Sequence, residues 1–170
     1  MLKALGVILM FGGCIGIGTG KVKELDSRIN VLRSLLYSLE VIARELEFRL
    51  SPMEQLLETA AKGTPEPVFG FFNECSAELK GGKSRPFFDI WSRLANERLY
   101  ILKKTDLESF LQLGGILGRY DSCGQKQAVD RVLSILSQSL SDSLFERKNQ
   151  GKVYCTLGAT AGAFLVILLL

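Results

Sequence analysis

From Val22 to Leu50 apolar residues recur at Val22, Leu25, Ile29, Leu32, Leu36, Leu39, Ala43, Leu46 and Leu50. Steps that alternate three and four keep these positions on one side of a helix. Leu35, Ile42 and Phe48 widen the stripe, which favours a packed bundle over a free coiled coil. At ~1.5 Å rise per residue this helix is about 43 Å long.

The breaks that follow are well marked. Ser51-Pro52-Met53-Glu54 reads as a capping box with Pro at the first helical position, opening a second helix to about Lys62 that Gly63 and Pro65 close. Pro65 and Pro67 introduce a third, reaching about Lys80 before Gly81-Gly82. Ser84 and Pro86 begin a fourth, roughly Arg85 to Lys103. Thr105-Asp106-Leu107-Glu108 reads as a second capping box, opening a short fifth helix to about Leu117. After a turn at Gly118 to Gly124, a long sixth uses Ala128, Val129, Val132, Leu136, Leu140 and Leu144 and ends near Gly151. No stretch alternates with period two, so no strand is expected. The pattern predicts an all-α chain, an antiparallel six-helix bundle over residues 21–152 flanked by transmembrane helices at 1–20 and 153–170.

Six aromatics, Phe69, Phe71, Phe72, Phe87, Phe88 and Trp91, fall on the third and fourth helices and are expected to form the packed centre. On the first helix, Glu40–Arg44 and Glu45–Arg49 have the spacing of i,i+4 pairs on a solvated face.

Charge sharpens the picture at the ends. Of 39 charged side chains in 170 residues, only Lys3 lies outside residues 21–152, which explains a mean hydropathy of +0.20 in a chain that is 23% charged. Residues 153–170 carry no charge and would span about 27 Å as a helix, close to the ~30 Å hydrocarbon core. Residues 4–20 are uncharged as well. Lys21, Lys23 and Arg28 follow the first stretch, and Arg147, Lys148 and Lys152 precede the second. By the positive-inside rule the middle domain is expected to be cytoplasmic in a membrane-anchored protein. Gly12, Gly16 and Gly20 form two overlapping G-x-x-x-G steps, and Gly158 and Gly162 form another. These faces suit close helix packing, with each other or with other membrane subunits. A cleaved signal or a lipidated Cys14 is the rival reading of the N-terminus; it would export a domain whose flanks are positive.

Composition then removes chemistry. The chain has no histidine, so Ser-His and Cys-His nucleophile pairs and imidazole metal sites are out of reach. Cys14, Cys75, Cys123 and Cys155 fall singly, with neither a zinc spacing nor a secreted disulfide framework. No G-x-x-x-x-G-K-[ST] loop is present, and a net charge of +3 is too small to argue for nucleic acid. The expectation is no enzyme, no cofactor and no metal.

The whole plan resembles the stage III sporulation protein AB family. The local stretches that carry the resemblance are Leu46-Glu47-Phe48-Arg49-Leu50-Ser51-Pro52-Met53-Glu54 and Leu113-Gly114-Gly115-Ile116-Leu117-Gly118-Arg119-Tyr120-Asp121 with Gln125 following, together with Gly151-Lys152-Val153-Tyr154 leading into Leu157-Gly158. The resemblance implies a subunit of the channel-like complex linking mother cell and forespore, sited in the outer forespore membrane. It also implies a cytoplasmic domain similar to type II secretion F proteins, the membrane platforms that meet a hexameric ATPase. The partners it implies are the sporulation ATPase subunit, other membrane subunits, membrane lipid and a second copy of the chain, since a type II secretion F protein carries two such domains. Ser51, Glu54, Arg119 and Asp121, each about 30 residues from an apolar end, are the candidate contacts with that ATPase. A membrane-anchored helical adaptor or signalling scaffold of another pathway is the alternative.

Overall fold

The structure, a computed structural model, describes the backbone over residues 2–48, 51–82, 85–118 and 122–169, and side chains over residues 23–48, 51–82, 85–118 and 123–149. Six helices follow in order: α1 Leu2–Phe48, α2 Met53–Ala61, α3 Val68–Lys80, α4 Phe87–Arg98, α5 Lys104–Ile116 and α6 Ser122–Leu169. There is no strand among the described residues. The chain divides into two compact units, Met1–Ser27 with Asp142–Leu170, and Arg28–Ser141.

In the second unit the stripe on α1 does face a core, with Leu32, Leu35, Leu39 and Ile42 all fully buried. Its centre is shifted from the expected seam. Leu36 is only partly buried, and Phe48, expected to widen the stripe, is 78% exposed. A helix packed against several neighbours buries a broader face than the narrow seam of a two-stranded coil, so positions beside the seam go inside. That face includes Ser38, whose hydroxyl donates to the Ala60 carbonyl at 2.8 Å and joins α1 to the end of α2. Of the expected pairs on the outer face, Arg44 Nε reaches the backbone carbonyl of Glu40 at 3.2 Å, and Arg49 lies outside the described residues.

Neither capping box forms. At α2 the cap position is Pro52, and its carbonyl accepts from the amides of Gln55 and Leu56. Ser51 sits one residue too early and donates instead to Glu45 Oε2 at 3.3 Å. At α5 the cap position is Lys103, again with no side-chain cap. Asp106 is 3% exposed and accepts a hydrogen bond from Ser139 Oγ of α6 at 2.6 Å. Thr105, the expected cap of α5, lies inside the helix two positions after Lys103, so its hydroxyl is not placed to cap the first amides.

α4 stops at Arg98, five residues earlier than the sequence suggests. No Gly or Pro marks the stop. The Leu99 amide still bonds to Ala95, the Leu102 amide closes a turn on Leu99, and both leucines enter the core while Tyr100 is left 77% exposed. Burying both leucines in one short connection lets α5 return antiparallel along α4. α6 begins at Ser122 and runs past Gly151 unbroken, so Gly124 and Gly151 are helical, not the limits of a turn and of a helix.

The aromatic centre is real but differently composed. Phe71, Phe72 and Trp91 are fully buried, whereas Phe69 and Phe88 are 41% and 39% exposed. Adjacent helical residues point about 100° apart. α3 lies between α2 and α4 and turns both Phe71 and Phe72 inward, whereas at the start of α4 Phe87 is partly buried and Phe88 is left at the surface. Phe110 of α5, not anticipated, fills the centre: it stacks on Trp91 at 4.7 Å and lies 5.3 Å from Phe71. Trp91 Nε1 donates to the Phe110 carbonyl at 2.9 Å, satisfying the one polar atom of the largest core side chain.

Among the described residues no helix is long and apolar enough to cross a membrane. The side chains of residues 4–20 and 153–170 lie outside the described residues; so do the packing faces expected at Gly12, Gly16, Gly20, Gly158 and Gly162, although their backbone is helical in α1 and α6.

Candidate partner interface

One end of the second unit gathers the turns singled out in the sequence. The bundle is antiparallel, so the start of α2, the end of α3, the start of α4 and the end of α5 meet there. The contacts fix this alternation. Ser76 of α3 donates to the Glu54 carbonyl of α2 at 2.9 Å. On the next pair, Arg93 of α4 bonds to Glu78 of α3, and Arg98 makes a two-pronged contact with Glu74. Those hydrogen bonds hold the arginine protons more tightly than usual, raising both guanidinium pKa values. Gly70 makes room for Arg98: a Cβ there would lie 2.5 Å from its Nη1.

The turn between α5 and α6 is fixed by Gly118, whose φ of +79° favours glycine. Its amide donates to Gln125 Oε1 at 3.2 Å, so Gln125 closes the turn from the first part of α6. A methyl on Gly118 would stand 3.5 Å from Met53 Cε, which puts this turn directly beside the start of α2. At the same end Lys126 of α6 bonds Glu47 of α1 at 2.7 Å, and that contact raises the ammonium pKa.

Between the four helix ends lies an open, mostly apolar recess of about 170 Å³. Met53 of α2, Leu79 of α3, Phe87 and Phe88 of α4, and Leu117 and Gly118 of α5 line it. Beside it the outer face of α2 carries a shallow polar depression with Glu54, Glu58 and Lys62, and with Lys80 from α3. Lys80 is hydrogen-bonded to Glu58 and holds that carboxyl below its usual range.

Of the four candidate contacts, Ser51 and Glu54 sit half-buried at this end, Ser51 turned toward Glu45. Arg119 and Asp121 lie outside the described residues, in the segment that directly follows Gly118. The recess itself was not foreseen. Its one sequence signal is the Phe87-Phe88 pair, whose first ring is partly buried and whose second is 39% exposed.

The unit offers little else for chemistry. No group of three or more Cys, Asp or Glu among the described residues could hold a metal ion. Cys75 is fully enclosed, and burial, with Glu78 and Glu74 nearby, pushes its thiol pKa well up. Cys123 is exposed.

Known proteins of the same plan exist. A solved structure of stage III sporulation protein AB superposes with a TM-score of 0.65 at 24% identity, covering 72% of this chain and 98% of that one, which establishes the shared fold. The stage III sporulation protein AB of Bacillus subtilis (strain 168) is 27% identical over 177 aligned positions, spanning the whole of both chains. The profile of the family described as stage III sporulation protein AB matches residues 3–170. That description names a stage of sporulation and no enzymatic reaction. With nearly every residue inside the match, the chain belongs to the stage III sporulation protein AB family.

Proposed function

We propose that the chain is a non-enzymatic membrane platform subunit of the secretion-like channel complex between mother cell and forespore. Residues 4–20 and 153–170 anchor it, the bundle stands in the mother-cell cytoplasm, and the turn end around Met53 and Gly118 docks the sporulation ATPase. One observation carries the reading: each uncharged terminal stretch continues without a loop into a bundle helix, α1 over 47 residues and α6 over 48. A motor that moves must act against something anchored, and an unbroken helix is a stiffer connection than a flexible loop. Family membership supports a role in sporulation, and a type II secretion F-like domain, as the resemblance implies, would suit a platform. Two copies would match the two domains of those proteins, so the working unit is a homodimer alongside other membrane subunits.

The test is site-specific photocrosslinking in sporulating cells, from positions 54 and 88 at the turn end and from position 100. Tyr100 lies in the turn between α4 and α5, at the opposite end of the second unit. The ATPase is expected to be captured from 54 and 88 and not from 100. Capture from 100 alone, or from none of the three, overturns the docking reading.

A further inference from the structure

The first unit pairs the two helical arms, Met1–Ser27 and Asp142–Leu170. Arg147 of α6 grips Asp26 of α1 with two contacts, Nε to Oδ1 at 2.5 Å and Nη2 to Oδ2 at 3.3 Å. Because Asp26 is near the end of one arm and Arg147 near the start of the other, the arms run antiparallel and the ion pair sets their register. Five residues outward from the pair, toward the apolar ends, lie Lys21 on α1 and Lys152 on α6. Lys23 is three residues outward and Lys148 one. At ~1.5 Å per residue all four lysines fall within a slab about 6 Å deep. Lys23 and Lys148 are exposed.

Acidic groups are distributed the other way. Glu24 is the one carboxylate inside the slab, two residues outward from Asp26. Asp26 would otherwise face Lys23 one turn away, but Arg147 occupies it. Asp142 and Glu146 lie on the inner side of the pair, and beyond the slab residues 4–20 and 153–170 carry no charge. The slab is therefore a net +3 band directly inside two uncharged stretches. The headgroup layer of a bilayer is about 5–7 Å deep on each side of its ~30 Å core, which matches the depth of the band.

We infer that Lys21, Lys23, Lys148 and Lys152 form a collar that binds the phosphate headgroups of anionic phospholipid. The inference rests on residues 4–20 and 153–170 spanning the membrane. Ammonium groups are compact point charges with three donors each, suited to phosphodiester oxygens without demanding a fixed geometry. A basic side chain held at an anionic surface contributes about fivefold to binding, so partial additivity over four still gives tenfold or more.

The experiment uses the full chain in detergent, equilibrated with equal phosphatidylglycerol and phosphatidylcholine, and counts the lipids retained by native mass spectrometry. The expected result is a preference for phosphatidylglycerol of about tenfold or more. Combined Lys21→Gln, Lys23→Gln, Lys148→Gln and Lys152→Gln brings it near parity, Glu24→Gln raises it, and Lys62→Gln with Lys104→Gln leaves it unchanged. Equal retention of both lipids by the wild type overturns the collar, and so does an undiminished preference in the quadruple variant. Alkaline carbonate extraction of cell membranes separates the two failures. A chain released by carbonate refutes the spanning reading and the collar together. A chain that stays in the membrane yet shows no lipid preference refutes the collar alone.

Discussion

Gly114→Ala adds one methyl group where α5 lies tight against Trp91 of α4. The added Cβ would stand 2.3 Å from Trp91 Cδ1, 2.5 Å from Cγ and 2.9 Å from Nε1. Ordinary carbon contacts are about 3.5–4.0 Å, so the shortfall exceeds an ångström. Trp91 cannot yield easily. It is fully buried, its Nε1 is bonded to the Phe110 carbonyl, and its ring is stacked on Phe110 and meets Phe71 edge to face with the ring centres 4.8 Å apart. Either α5 lifts off α4 or the indole leaves its seat. Overpacking of this kind costs about 1–3 kcal/mol, and a buried indole N–H left without its acceptor about 1–3 kcal/mol more. The gain in helix propensity from Gly to Ala returns only about 1 kcal/mol. The net loss is about 1–5 kcal/mol, or roughly 2–20 °C in Tm for a chain of this size.

Thermal unfolding of the full chain in detergent checks this, followed by circular dichroism and by the fluorescence of Trp91, the one tryptophan in the chain. Gly115→Ala is the matched control. Its Cβ would meet Phe88 at 3.6 Å, ordinary contact against a ring that is 39% exposed. That substitution should raise stability by about 0.5–1 kcal/mol. Two identical changes one residue apart thus move Tm in opposite directions. A Gly114→Ala protein as stable as the wild type, with unchanged Trp91 emission, would refute the close-approach argument.

Other outcomes follow from the polar contacts and the thiols. Ser139→Ala removes the 2.6 Å donor to buried Asp106 and should lower the urea midpoint by the equivalent of about 1–3 kcal/mol; an unchanged midpoint would mean the bond contributes nothing net. In a Cys14→Ser, Cys155→Ser background, an alkylating reagent should modify exposed Cys123 promptly and reach Cys75 only on unfolding, because burial both shields that thiol and suppresses its thiolate. Rapid reaction at two sites in the native state, counted by mass spectrometry, contradicts the packing of α3. Glu58 has its pKa lowered by Lys80, so its stabilising contribution is complete above the ordinary value of 4.5 and is lost as pH falls below it. Lys80→Gln should flatten that acid limb of the stability profile, and identical limbs for variant and wild type would show the exposed pair to be inert.

Which parts of the molecule could be read in advance depends on how far apart the deciding groups are in the chain. The ends of α2 and α3 were legible because Gly63 and Gly82 take φ of +84° and +62°, a backbone requirement that a single residue type announces. The inward face of α1 was legible because its period is set by helix geometry. Ser51 and Thr105 misled because their type suits a cap, while the cap positions fall to Pro52 and Lys103, and the hydrogen bonds of Ser51 to Glu45 and of Ser139 to Asp106 are decided by which segments pack side by side. The early end of α4 carries no local breaker at all. At the candidate interface, Ser51 and Glu54 were identifiable as turn residues, but the recess beside them is assembled from four helix ends and has no contiguous sequence.

Taken alone, the order of residues determined that the chain is all-helical, that its charge is confined to the middle, that imidazole chemistry is absent, and which family it resembles. These follow from composition and from interactions within a turn or two of helix. Only the tertiary structure decided that Phe110 completes the aromatic centre, that Gly114 and Gly70 seat Trp91 and Arg98, and that Met53 meets Gly118 beside an apolar recess. Each of those depends on residues far apart in the chain meeting at distances of a few ångströms, which helical periodicity constrains to a face but never to a partner.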